Sequence, residues 1–113
     1  MELKLSHEEG YVLASTAGSI DDSAKEPLRE YLHPLIAQPG TKVVLDLSES
    51  NFISSQGIGH LVGLVANANL HDSRVVLAAC SSFVAIVLTR CKLDRFFEIA
   101  ETAADAIRRV LED

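Results

Sequence analysis

The sequence predicts an α/β fold in a single domain, with a mixed, mostly parallel β-sheet of four to five strands packed with about four α-helices. Apolar runs rich in β-branched residues alternate along the chain with segments of helical periodicity. Neither a linker nor an internal repeat divides them, and 113 residues suffice for one domain with its own hydrophobic core. Strands that alternate with helices are typical of a parallel sheet.

The first third of the chain predicts a hairpin followed by a helix. Leu3 to Ser6 and Tyr11 to Thr16 have strand character and are joined through a short turn-like segment that ends at Gly10. Asp21 to Ile36 then has helical character. Because a hairpin pairs its strands antiparallel, these first two strands supply the mixed part of the sheet.

The middle of the chain predicts a buried strand and then a long amphipathic helix. A near-continuous apolar run, Val43-Val44-Leu45 with Leu47, suits a strand covered on both faces. From Ser55 onward, four apolar residues recur at helical spacing and predict one buried stripe, formed by Ile58, Leu61, Val62 and Val65. Either Ser54 or Ser55 can cap this helix, since a serine hydroxyl accepts a hydrogen bond from an otherwise unpaired amide of the first turn.

The last third predicts two further strands and two further helices. Arg74 to Ala79 is a second buried strand, Ser82 to Arg90 a helix, Phe96 to Ile99 a short edge strand, and Glu101 to Leu111 a closing helix.

Composition excludes several functional classes. A net charge of −6 and the lack of a Lys/Arg cluster argue against direct nucleic-acid binding. No apolar run reaches signal-peptide or membrane-spanning length, so we expect a cytoplasmic protein without membrane attachment. Neither Cys80 nor Cys91 has the paired spacing of a metal site, and a helix between them would hold them too far apart for a disulfide. We therefore expect two free thiols, no metal and no cofactor.

Three stretches of the chain resemble the anti-sigma factor antagonists of the STAS domain family. Asp46-Leu47-Ser48 and Phe52, followed by Gly57-Ile58-Gly59, are similar to the family's D-L-S strand end, its loop and its glycine-spaced helix start. Gly18-Ser19-Ile20-Asp21 is similar to the G-x-L-D before its first helix. The segment from Leu88 to Phe97 resembles its late L-x-x-T-G-L-D-x-x-F stretch, with Cys91 where glycine is common.

The resemblance implies a function and a modification site. A member of this type binds an anti-sigma factor that is also a serine kinase and so frees a sigma factor or a response regulator output, and phosphorylation switches this binding off. Ser55 aligns with the family's phospho-accepting serine, and Ser54 stands where the family usually has an aspartate. Asp21 corresponds to an aspartate near the phosphosite. The implied partners are the kinase and a phosphatase, and the implied protein is a monomer or weak homodimer without enzymatic activity.

The predicted contact surface combines the helix entrance with the polar face of the helix. Gly59 and Gly63 each cost about 1 kcal/mol of helix propensity relative to alanine, so each needs a reason. Close approach of a partner is one reason, and close packing of another element of the same domain is the other. The candidate partner-binding residues are Asp21, Ser54, Ser55, Gln56, Gly57, Gly59, His60, Gly63, Leu64 and Asn67.

Two other functions remain open from the sequence. The replacement of the aspartate by Ser54 favours a constitutive STAS adaptor or scaffold subunit without a phospho-switch. A serine hydrolase that uses Ser55 has less support, because the local sequence lacks the G-x-S-x-G elbow and no sequence signal assembles a histidine and an acid around it.

Overall fold

A five-stranded sheet forms the centre of the molecule, and the computed structural model describes residues 1–112. The strands are β1 (Glu2–Glu8), β2 (Tyr11–Ala17), β3 (Lys42–Glu49), β4 (Arg74–Ala78) and β5 (Glu98–Ala100). They lie in the order β1-β2-β3-β4-β5; β1 and β2 are antiparallel and every later pair is parallel. The predicted fold class and the mixed, mostly parallel sheet are confirmed.

Within residues 1–112, four helical segments connect and cover these strands. They are α1 (residues 22–36), α2 (Ser55–Leu70), α3 (Ser82–Arg90) and α4 (Ala103–Glu112). Segment α1 is composite: it begins with a 3₁₀ turn at Asp22–Ala24 and contains a π-helical turn at Leu28–Leu32 before ending at Ile36. The wide turn lies just before Pro34, which has no amide hydrogen to donate inside a helix.

The two faces of the sheet have separate cores. On one face α1, α2 and α3 pack against β2, β3 and β4, and the largest buried side chains there include Leu32, Leu45 and Leu61. On the other face α4 alone covers a smaller cluster around Val44 and Val76. Because β3 contributes to both cores, its near-continuous apolar run is explained.

The buried face of α2 differs from the face that the sequence pattern predicts. Its fully or almost fully buried apolar side chains are Leu61, Leu64, Val65 and Ala68. Ile58 and Val62 are only partly buried at the margin of the core. The same spacing of three and four residues is present, but the stripe is displaced toward Leu64, because α2 packs against α1 as well as against the sheet.

Candidate functional site

Two loops at the carboxyl ends of β2 and β3 are joined to each other and hold the start of α2. Ile20 and Ile53 form an isolated parallel bridge. The amide of Ile20 donates to the carbonyl of Phe52 at 2.9 Å, and the amide of Ser54 donates to the carbonyl of Ile20 at 3.0 Å. Asp21 and Ser54, far apart in sequence, therefore belong to one layer of backbone.

A buried pair of hydroxyl groups lies at the base of these two joined loops. The hydroxyls of Thr16 and Ser50 are hydrogen-bonded at 2.7 Å, and both residues are almost completely buried. The amide of Gly18 adds a bond to the carbonyl of Glu49 at 3.1 Å. Ser50 is thus a structural residue that sequence reasoning missed, because its partner Thr16 lies 34 positions away in the sequence.

Ser54 is the N-cap of α2, which decides between the two serines. Its backbone is extended, with φ −101° and ψ 173°, and its hydroxyl accepts from the amide of Gly57 at 3.2 Å. Ser55 is the first helical residue and is exposed, and the first turn of α2 carries no acidic side chain. The unpaired amides and the positive end of the helix dipole therefore lie beside an accessible hydroxyl.

Gly57 supports the site from inside the protein. It is buried, and a Cβ built there would lie 1.9 Å from the carbonyl oxygen of Ile20. Only a residue without a side chain permits this approach of α2 to the loop before α1. The expected partner contact through Gly57 is therefore corrected to an internal packing role.

Gly59 and Gly63 differ from Gly57 although they lie in the same helix. Both are exposed, and a Cβ at either would meet no atom within 4 Å. Close packing inside the domain thus does not explain them. Gln56 is also exposed, so the accessible residues of the predicted surface include Ser55, Gln56, Gly59 and Gly63.

His60 and Asn67 lean toward α1 rather than projecting freely into solvent. The Nε2 atom of His60 lies 2.9 Å from Oδ1 of Asp22, and the side-chain amide of Asn67 lies 2.9 Å from Nδ1 of His33. Leu64 is fully buried, so its prediction as a partner-binding residue is wrong. The contacts of His60 and Asn67 and the burial of Leu64 have the same cause, because this side of α2 faces α1.

The bond between Asn67 and His33 fixes which ring nitrogen carries the proton. An amide nitrogen only donates, so Nδ1 of His33 accepts and Nε2 carries the hydrogen. Burial lowers the pKa of His33, because the charged imidazolium loses hydration inside the protein. The structure therefore favours neutral His33.

Asp21 serves the start of α1. Its Oδ1 accepts hydrogen bonds from the amide and the hydroxyl of Ser23, and these bonds lower the pKa of the Asp21 carboxyl. The carboxylate is thus a helix N-cap, while its backbone lies beside the entrance of α2. The role of Asp21 toward the predicted phosphosite stays a prediction.

An aromatic pair borders the same loops. The rings of Phe52 and Phe83 stack with centroids 5.4 Å apart, and each side chain is about half exposed. Phe83 is the second residue of α3, so this pair connects the loop before Ser55 to the next helix. Phe83 was missed because only the fold brings it to this loop.

The described residues contain neither a cluster that would hold a metal ion nor a helix long and apolar enough to cross a membrane. Cys80 and Cys91 are free thiols. The hydroxyl of Ser55 makes no hydrogen bond within the described part of the chain, and Nε2 of His60 is directed to Asp22. Within residues 1–112, no histidine is hydrogen-bonded to the hydroxyl of Ser55.

Comparisons with known proteins show the family and the fold. The STAS domain family model matches residues 2–106. The anti-sigma factor antagonist SpoIIAA in its unphosphorylated form has a TM-score of 0.74 and 22% identity, over 99% of this chain and all of that one. SpoIIAA from Bacillus has also been solved in its phosphorylated form, with a TM-score of 0.73 and 22% identity, over 96% of this chain and 99% of that one. A variant of RsbS from Moorella thermoacetica has a TM-score of 0.82 and 21% identity, over 99% of this chain and 97% of that one.

Proposed function

We propose that this chain, which belongs to the STAS domain family, acts as an anti-sigma factor antagonist. It binds an anti-sigma factor that is also a serine kinase, and so frees a sigma factor or a response regulator output. The observation that carries the proposal is the exposed Ser55 at the first turn of α2, next to two loops that are hydrogen-bonded to each other. The protein acts as a binding module and not as an enzyme, in the cytoplasm, as a monomer or weak homodimer.

Phosphorylation of Ser55 is the proposed switch. A phosphate adds about −1.5 to −2 charges at neutral pH. At a helix N-terminus that charge is favourable by roughly 0.3–1 kcal/mol, so the domain stays folded. A partner that covers Ser55 must instead desolvate or repel the phosphate, and a cost of about 3 kcal/mol weakens binding by roughly a hundredfold. A phosphatase then restores binding.

Ser54, which stands where the family usually has an aspartate, caps α2. Its hydroxyl accepts from Gly57, so the helix entrance is formed without a carboxylate at this position. This cap supports the proposal that Ser55 accepts a phosphate although the family's acidic residue is replaced. The constitutive adaptor remains the alternative, because an acidic neighbour that assists phosphate transfer is absent from the first turn of α2.

The test measures phosphate transfer and binding together. The wild-type protein and Ser55→Ala are incubated with ATP and each anti-sigma-type serine kinase of the same organism, and intact mass and site mapping follow. Ser48→Ala, a change in an exposed serine outside the helix entrance, is the matched control.

We expect one phosphate, located on Ser55, in the wild type and in Ser48→Ala but not in Ser55→Ala. Kinase affinity should fall once the phosphate is present. Tight binding without transfer would favour the constitutive adaptor, and neither binding nor transfer would remove the antagonist function.

A further inference from the structure

Strand β1 is a long, exposed edge of the sheet. It spans seven residues, and β2 is the only strand of the described chain that pairs with it. The register with β2 is regular from Glu2 to Glu8, and β1 contains no proline. Within residues 1–112, no backbone hydrogen bond joins β1 to an element other than β2. One side of β1 therefore keeps free amide and carbonyl groups, and such an edge is a template for another strand.

The side chains of β1 alternate between the two faces of the sheet. Leu3 and Leu5 are partly buried and pack against the larger core. Lys4 and Glu8 are exposed and point to the opposite face, because successive residues of a strand alternate. The carboxylate of Glu8 accepts a hydrogen bond from the hydroxyl of Ser6, and neither Lys4 nor Glu8 forms an ion pair within residues 1–112. One cation and one anion are thus available on the same face of this edge.

We propose that β1 pairs antiparallel with β1 of a second copy of this chain, with Lys4 of each copy opposite Glu8 of the other. A twofold axis perpendicular to the sheet relates the two strands, so directly opposite residues lie on the same face. The axis passes beside Ser6, midway between the two charged residues. The sheets of the two copies then form one continuous sheet.

Charge disfavours two other registers that align most of β1. With the axis at Leu5, Glu2 of each copy would lie opposite Glu8 of the other. With the axis at Lys4, the two ammonium groups would lie opposite each other. Like charges directly opposite each other destabilise a pair of strands, whereas opposite charges stabilise it.

The register centred on Ser6 also aligns most of β1, and both of its direct charge pairs are attractive. Glu2 is then diagonal to Glu8, at about 7–8 Å rather than the about 4.5–5.5 Å of a direct pair, so the attraction from Lys4 exceeds this repulsion. An axis at Leu3 would set Lys4 opposite Glu2, but it aligns less than half of the strand. The register centred on Ser6 therefore combines the longer alignment with opposite charges.

The proposed pairing leaves the start of α2 accessible. Ser6 pairs with Leu13 of β2, and Leu13 pairs with Val44 near the start of β3. Ser55 follows the other end of β3. The pairing and Ser55 are therefore at opposite ends of the sheet, and a dimer carries two accessible copies of Ser55. The pairing depends neither on phosphorylation nor on a kinase.

Two charge reversals and their mixture test the pairing. Lys4→Glu leaves only carboxylates in the two charge pairs, and Glu8→Lys leaves only ammonium groups, so each protein should repel its own copies. In an equimolar mixture, the two kinds of chain are complementary at both charge pairs. The matched controls are Lys25→Glu and Glu30→Lys, which change the net charge equally at exposed positions of α1.

Sedimentation velocity of the full chain at micromolar to millimolar concentrations measures self-association, and circular dichroism measures folding. We expect a weak dimer in the wild type, because an interface of one strand pair is small. Lys4→Glu and Glu8→Lys should each weaken self-association by roughly tenfold or more. Their mixture should associate within about threefold of the wild type, and both control proteins should behave like the wild type.

Three results would overturn the proposed pairing. If the wild type sediments as a monomer at every concentration, β1 does not bind a second copy. If a dimer forms and neither reversal weakens it, another surface forms the dimer. If the mixture associates no more tightly than each reversed protein alone, Lys4 and Glu8 are not opposite each other. Because no kinase is present in this experiment, each of these results leaves the proposed function of Ser55 unchanged.

Discussion

Replacing Gly57 by alanine should destabilise the domain strongly. The new Cβ would lie 1.9 Å from the carbonyl oxygen and 2.5 Å from the carbonyl carbon of Ile20, so backbone must move. Overpacking of this kind costs about 1–3 kcal/mol. The movement also strains the bonds between Ile20 and the loop at Phe52 and Ser54, each worth about 1 kcal/mol. After a gain of up to about 1 kcal/mol in helix propensity, we expect a net loss of about 2–4 kcal/mol.

Gly63→Ala is the matched control for that substitution. It lies in the same helix, and its Cβ meets no atom within 4 Å. Only the propensity gain of about 1 kcal/mol should remain. For a chain of this length the entropy of unfolding is roughly 0.24 kcal/mol per degree, so the melting temperature should rise by about 4 °C, and that of Gly57→Ala should fall by about 8–16 °C.

Urea denaturation followed by circular dichroism measures both free energies of unfolding, and calorimetry measures the two melting temperatures. Equal effects of the two substitutions would refute the close approach of α2 to Ile20. A destabilising Gly63→Ala would mean that another part of the domain packs on this face of α2, contrary to the open space around Gly63.

Three further predictions concern the supports of the site. Ser54→Ala should lower the free energy of unfolding by about 1 kcal/mol, since it removes the cap of α2, and an unchanged urea midpoint would contradict the cap. Thr16→Val should cost about 1–3 kcal/mol, because it leaves the buried hydroxyl of Ser50 without its side-chain partner, whereas Thr89→Val on the exposed face of α3 should change little. Burial lowers the pKa of His33 in the folded protein below its unfolded value of about 6.5. As the pH falls, the unfolded chain therefore binds the proton first. The free energy of unfolding that is present above pH ~6.5 is lost as the pH falls toward the folded pKa. His33→Gln should therefore lose less stability than the wild type between pH 7 and pH 5, and identical pH profiles would refute this role.

Periodicity predicted the order and type of the secondary structure, because each strand and helix has a local pattern. The ends moved by a few residues: β5 occupies Glu98–Ala100 rather than Phe96 to Ile99, and α4 begins at Ala103 rather than Glu101. At Ala103 the hydroxyl of Thr102 can accept from an amide of the first turn, and this cap overrides the apolar pattern.

Features of the site that depend on local sequence spacing were predictable. Features that depend on contacts between distant parts of the chain were not. The serine at the helix start follows from the pattern around Ser55. The different roles of Gly57 and Gly63 depend on Ile20, which the sequence does not place beside α2. Likewise the bond from His60 to Asp22 joins residues 38 positions apart.

The strand order has a consequence for synthesis on the ribosome. Every strand pairs with the strand before it in sequence, so the sheet can grow in the direction of translation without waiting for a distant segment. The paired loops and α2 are available once residue 70 has emerged, whereas α4, which covers Val44 and Val76, comes last. A nascent or truncated chain that lacks α4 would thus present a formed Ser55 entrance on one side and an uncovered apolar sheet on the other. Such a chain should aggregate and require a chaperone, even though the part proposed for signalling is already in place.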